Sequence, residues 1–428
     1  MAAHIRRSVY DLSNKIRSRT GKILITIFVL ALIFRVIVAS FRIAYGANPI
    51  PWLPYVETWS DFSSVYGQQL AYLKHGLLPY SGFAYTYTPL FLYILFPFYN
   101  FGGISAAAVP ILLADSASAV LVYLLVLRVS TSKVALLASV AYALSPFVLV
   151  YEGYLLLSSQ PMFFFVMLAL YLLRQNKPLQ SSVFLGIAFL FKQEAIFILP
   201  VYATWYIGRY KAEAWKGILA FLSTLLMVSV PFLLLSPLLY FDSISYDVLY
   251  NYFPVSVNYP HVNETAQTIQ SLSGFKPGTC SLMNTNVHAT ISSCPFGMIT
   301  YSTSPTGPFL WPSYALNILI LWGQFIEIPL FVLVAGLFYK FRKKADLLEL
   351  GCAFATVFLL VIFSLLVHGL YRYYYVPVYG LLLASSKKLS TVSVVTLISI
   401  VSLLLPGGSY QTSFALIAIV ASLGLYPT

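Results

Sequence analysis

The chain has 428 residues, of which 59% are hydrophobic and only 9% charged, and its mean hydropathy of +0.82 lies far above that of a water-soluble domain. The formal charge of +12 suggests a nucleic-acid partner, but the basic residues gather at the ends of apolar runs, where they report membrane topology. Composition therefore excludes a soluble enzyme and a nucleic-acid binder. Apolar runs of roughly 16 to 27 residues suit an all-α integral membrane bundle better than the short alternating strands of a barrel.

Residues 1–21 are basic and amphipathic, and the apolar run that follows, Ile23 to Ser40, is longer than a signal-peptide core and lacks a small-residue cleavage pattern. It reads as a retained first helix. In chain order the spans are placed at 22–42, 105–128, 133–151, 157–174, 179–191, 194–208, 215–240, 313–339, 346–368, 371–386, 389–406 and 411–427, about twelve in one domain covering 1–428. Arg128, Lys133, Arg174, Lys177, Arg209, Lys211, Lys216, Lys340, Arg342, Lys387 and Lys388 then share one side with both termini, and the positive-inside bias makes that side cytoplasmic. The segments 43–104 and 241–312 form two large outer loops of a multi-pass cell-membrane protein, so its chemistry is expected on the extracytoplasmic face.

In the first outer loop, Phe62, Tyr66, Leu70, Leu73 and Leu77 recur at helical spacing. Ser60 suits an N-cap, and Gly76 ahead of Pro79 suits a stop. The pattern predicts a juxtamembrane helix with Asp61 in its first turn, where the helix dipole favours an ionised carboxylate. Asp61 either caps a surface helix or presents its acid to a bound polar group. An aromatic ladder follows, with Tyr80, Tyr85 and Tyr87 between Pro79 and Pro89. The apolar run 88–101 is short and carries Pro89 and Pro97, as expected of an interfacial or re-entrant piece that does not cross.

Within the spans, Arg35 lies toward the outer end of the first helix and is expected to snorkel. Asp115 and Glu327 lie near mid-span, where helix-to-helix hydrogen bonds would satisfy them, and Glu152, at an outer hairpin tip, either holds a sugar or faces water. In FLFKQEAIFILP, residues 189–200, Lys192 and Glu194 sit between two apolar segments too short for both to span the bilayer, so the tip is expected to be sunken in a cavity. The pair is either a hairpin cap or a cation site. The second outer loop, 241–312, is rich in Tyr, Asn, Ser, Thr and Pro and reads as a partly ordered lid. It carries the sequon at Asn263 and the cysteines Cys280 and Cys294, which stand either as a loop disulfide or as two thiols.

Late in the chain, LLVHGLYRYYYVPVYG places His368 and Arg372 four residues apart, on one face if the helix continues through Gly369. The tyrosines around them form either an aromatic belt at the interface or, with the two basic groups, a phosphate clamp, since a guanidinium matches phosphate oxygens bidentately.

The block SDF…YLKHGLLPYSGFAYTYTPL resembles the first outer loop of the GT-C glycosyltransferases, in particular the mannosyltransferase that adds the first mannose of glycosylphosphatidylinositol anchors and bacterial polyprenol-phosphate-mannose-dependent mannosyltransferases. The matching residues are Asp61, Gly76, Pro79, Tyr80, Tyr85, Tyr87, Pro89 and Leu90. The anchor enzymes carry Asp-x-Asp where this chain carries Ser60-Asp61-Phe62, with Glu57 four residues earlier. The resemblance implies an inverting hexosyltransferase that moves a sugar, mannose above all, from a polyprenyl- or dolichyl-phosphate carrier to a glycan or glycolipid acceptor. Asp61 would be the catalytic base; Tyr85, Tyr87, Lys192, Glu194, His368 and Arg372 would bind substrate. No metal or other cofactor is needed where Lys, Arg or His supplies the positive charge. Two other classes fit the composition, a sugar-lipid transporter or flippase, with Asp115 and Glu327 as midplane charges, and a surface-polysaccharide acyltransferase or polymerase.

Overall fold

The computed structural model describes residues 18–45, 62–80, 85, 87–235, 237, 240, 328–339, 347–366 and 372–404. These are helical throughout, with no strand among them. Four segments are long and apolar enough to cross a membrane, Arg19–Ala44, Leu90–Val129, Ser132–Tyr154 and Gln193–Leu235, and six shorter apolar helices accompany them. This is a helical membrane protein.

Helix α1 (Arg19–Tyr45) packs along α3 (Leu90–Val129), and between them in sequence lies a π-helical turn, Phe62–Tyr66, running into the short α2 (Gly67–Lys74). The apolar periodicity of α2 is met by protein: Phe62, Tyr66, Leu70 and Leu73 are buried, while His75 is exposed. The helix stops at Gly76, whose φ of +81° most side chains would resist.

Helix α3 is two legs joined at Gly102 and Gly103, both with non-helical backbone. Its first leg, 90–101, is about 18 Å long at 1.5 Å per residue, well short of a bilayer core of about 30 Å. Helix α4 (Ser132–Leu144) ends at Ser145–Pro146, and the chain then passes through a helical turn, Pro146–Val148, and a π-helical turn, Leu149–Tyr154.

Helices α5 (Ser159–Arg174) and α6 (Pro178–Phe191) form a close hairpin, with α8 (Ala214–Leu235) against α6. A 3-10 turn, Gln193–Ile198, leads into α7 (Leu199–Tyr210). After α9 (Ile328–Tyr339) come α10 (Leu348–Leu366), the 3-10 turn Arg372–Tyr375, α11 (Val376–Ala384) and α12 (Leu389–Leu404). Helix α11 is buried along its whole length between α3, α4 and α10. At one end of the α5–α6 hairpin, Arg174 grips Glu349 of α10 bidentately, at 2.9 and 2.5 Å. Lys192 lies at the other end.

Arg35 does not snorkel. It is fully buried, its Nε donates to Asp115 Oδ2, and its Nη1 donates to the carbonyls of Ala31 and Ala143 at 3.1 and 3.0 Å. Tyr142 donates to the other Asp115 oxygen at 2.8 Å. This charge pair, three helices wide, satisfies Asp115 within the bundle. Glu327 lies outside the described residues, as do Asn263, Cys280, Cys294, the 241–312 loop and the span placed at 411–427. Cys352 is a buried thiol.

Candidate functional site

Three distant segments meet at Lys192. Helix α6 ends at Phe191, and Lys192 follows in extended conformation, φ −160° and ψ 131°, before the 3-10 turn begins. That single extended residue turns its side chain inward. Lys192 is only 2% exposed, and a buried ammonium is costly unless it is paired. Its partner is Glu194, two residues on, with Nζ to Oε1 at 2.7 Å. Three ring faces complete the enclosure: Tyr87, ahead of α3, at 5.7 Å, and Tyr373 and Tyr374 of the late segment at 5.3 and 5.0 Å from their centres.

The segment carrying Tyr80, Tyr85 and Tyr87 is fastened to this point by its own ladder. Tyr80 donates to the Tyr87 carbonyl at 2.8 Å, and Thr88 donates to the Phe189 carbonyl of α6 at 2.9 Å. The rings of Tyr80, Tyr85, Tyr87, Tyr66 and Phe91 then follow edge to face or tilted, with centres 4.9 to 5.9 Å apart. Burial pushes the Tyr80 and Tyr85 phenols well above their usual range, so both stay neutral. Tyr66 donates to Ser158 Oγ at 2.8 Å, which ties the turn before α2 to the start of α5.

Beside Lys192 is a cavity of about 20 Å³, lined by Ser159, Glu194, Thr356, Tyr374 and Pro377 among others. That is room for about one water. The site thus offers a sequestered cation, a carboxylate that holds it, and a wall of aromatic faces.

Of the residues singled out in the sequence, Tyr87, Lys192 and Glu194 come together here, with Tyr85 one ring away. Lys192 is buried and its ion pair with Glu194 is present. Arg372 opens the 3-10 turn that carries Tyr373 and Tyr374, so its backbone adjoins the site. Asp61 and His368 lie outside the described residues.

No protein-family model and no curated protein matches the chain. Among solved structures it is similar to ArnT from Cupriavidus metallidurans bound to undecaprenyl phosphate, at 14% identity and a TM-score of 0.46, over 95% of this chain and 65% of that one. It is also similar to the Archaeoglobus fulgidus oligosaccharyltransferase, at 12% identity and a TM-score of 0.41, over 94% and 56%. The chain spans less than two thirds of the length of either.

Two features of the site were not anticipated from the sequence. Tyr373 and Tyr374, which the sequence leaves open between an aromatic belt and a clamp with His368 and Arg372, both turn their rings to Lys192. Glu152, placed at a tip facing water or a sugar, is fully buried. Its hint was local: Pro146 and Gly153 bracket a stretch that cannot run as an even helix.

Proposed function

We propose that this protein is an inverting glycosyltransferase of about twelve membrane spans, using a polyprenyl- or dolichyl-phosphate-linked sugar, mannose above all, and a glycan or glycolipid acceptor. Its site lies on the extracytoplasmic face, with both termini cytoplasmic. The observation that carries the reading is Lys192: a sequestered ammonium at the meeting point of the first outer loop, the α6–α7 tip and the Arg372–Tyr375 turn. The orientation is supported by Arg174, Lys177, Arg209 and Lys211, which cluster at the other end of the helices that flank it.

In this reading the acceptor hydroxyl oxygen attacks the anomeric carbon while Asp61 takes its proton. The bond from that carbon to the carrier phosphate breaks, and the electron pair leaves on the lipid phosphate. Lys192, which has three donors and gives one to Glu194, faces that growing negative charge, and Arg372 and His368 add to it. A phosphate is larger than the cavity beside Lys192, so its entry requires the Tyr373 and Tyr374 rings to swing aside. Tyr85 and Tyr87 line the sugar's approach.

The purified protein, given a short-chain polyprenyl-phosphate-mannose and extracted lipid acceptors, is expected to yield a product heavier by one hexose, and Asp61→Asn is expected to yield none. Equal turnover by the Asn variant would overturn the base assignment. Transfer across the membrane without a new glycosidic bond would replace the enzyme with a transporter.

A further inference from the structure

The segment joining α4 to α5 concentrates unmet polar atoms. Glu152 is fully buried, and neither carboxylate oxygen has a hydrogen-bond partner among the described residues. The Gln160 side chain faces it. Gln160 Oε1 accepts a long bond from Tyr142, at 3.4 Å, while its Nε2 finds no partner in bonding geometry. Ser159, 2% exposed, also has an unpartnered Oγ, and it lines the cavity beside Lys192.

Folded proteins leave very few buried polar groups unpaired, and an unpaired carboxylate is the costliest kind. The unpartnered atoms of Glu152, Ser159 and Gln160 lie within one stretch of nine residues. The backbone there is irregular too. Glu152 lies in the π-helical turn Leu149–Tyr154, and Leu156, fully buried, has a φ of +55°. π-turns and left-handed non-glycine residues cluster where function sets the geometry.

We propose that Glu152, Ser159 and Gln160 form a subsite for the hydroxyl groups of the transferred sugar, next to a carrier phosphate held at Lys192. This rests on the glycosyl-transfer reading above. A carboxylate accepts from two adjacent hydroxyls, an amide Nε2 donates to a sugar oxygen, and a serine hydroxyl does either. That mixture fits a neutral polyol. It does not fit a phosphate, which the carboxylate repels, so the two ends of the donor sort themselves between Glu152 and Lys192.

The test uses the full chain in lipid nanodiscs with two probes, a short-chain polyprenyl phosphate and the same lipid phosphate carrying one mannose. The wild-type protein is expected to bind the sugar-bearing lipid at least about tenfold more tightly. Glu152→Gln is expected to erase that preference, leave affinity for the bare lipid unchanged, and keep or raise the thermal midpoint without lipid, because the buried carboxyl group has no bonding partner to lose. A Gln variant that keeps the preference, or that melts earlier, overturns the proposal and makes Glu152 a structural acid. Wild-type binding of the bare lipid with no preference for the sugar overturns the subsite alone. Binding of neither lipid overturns the carrier-phosphate reading, and the subsite with it.

Discussion

The Lys192 ammonium lies 5.0 Å from the centre of the Tyr374 ring, although these residues stand on segments far apart in the chain. Tyr87 and Tyr373 close two further sides, and Glu194 is bonded to the same nitrogen. Glu194→Gln would leave a buried ammonium without its carboxylate, a loss expected to cost about 3 to 5 kcal/mol. Thermal unfolding in detergent should show a lowered midpoint, and Lys192→Met with Glu194→Gln should recover most of it, since the double change removes both charges. An unchanged midpoint in the single variant would mean that solvent already neutralises the pair.

A second buried pair allows an independent check of the helix arrangement. Arg35→Leu strands Asp115 among α1, α3 and α4, where only Tyr142 remains to bond it. We expect about 3 to 5 kcal/mol of destabilisation. Arg35→Leu with Asp115→Leu should restore much of the loss, and a coupling of at least about 1 kcal/mol in the double-mutant cycle would register their contact. Simple additivity would contradict it.

Gly380 tests how tightly α11 is seated. A Cβ there would collide with the Phe163 ring of α5 and come within 3.2 Å of Tyr142. Gly380→Ala should therefore cost about 1 to 3 kcal/mol through overpacking. Phe163→Leu in the same chain should relieve it. A neutral Gly380→Ala would show that α11 has room to move.

Much of this arrangement was legible in the sequence, and the reasons differ from residue to residue. Phe62, Tyr66, Leu70 and Leu73 announced α2 through spacing alone, because burial on one face imposes that period. Lys192 and Glu194 were legible because charges between two short apolar segments must be paired if they are buried. Arg35 was misjudged for a physical reason: a long basic side chain near a helix end can reach water, and nothing local reveals that Asp115, on another helix, will take it. The same limit left Tyr373 and Tyr374 open between a belt and a clamp and hid their contact with Lys192, since adjacency is decided by tertiary fit that periodicity does not encode. Glu152 was set at a tip because the span before it was drawn as one regular helix. The π-helical turn rotates it inward.

The Tyr66 hydroxyl is the link between the turn before α2 and the start of α5. Tyr66→Phe leaves Ser158 Oγ buried without that donor, and about 1 kcal/mol of stability should go with it. Hydrogen exchange on residues 62–74 would show faster opening in the Phe variant if this bond anchors the segment, and an unaltered rate if the ring contacts suffice.

The most direct measurement is the affinity of the full chain in nanodiscs for a short-chain polyprenyl phosphate that carries no sugar, compared between Glu194→Gln and the double variant Lys192→Met with Glu194→Gln. If the buried ammonium holds the carrier phosphate, the double variant binds at least about thirtyfold more weakly, a difference of about 2 kcal/mol, while its fold is intact. Equal affinities in the two variants would contradict a phosphate site at Lys192.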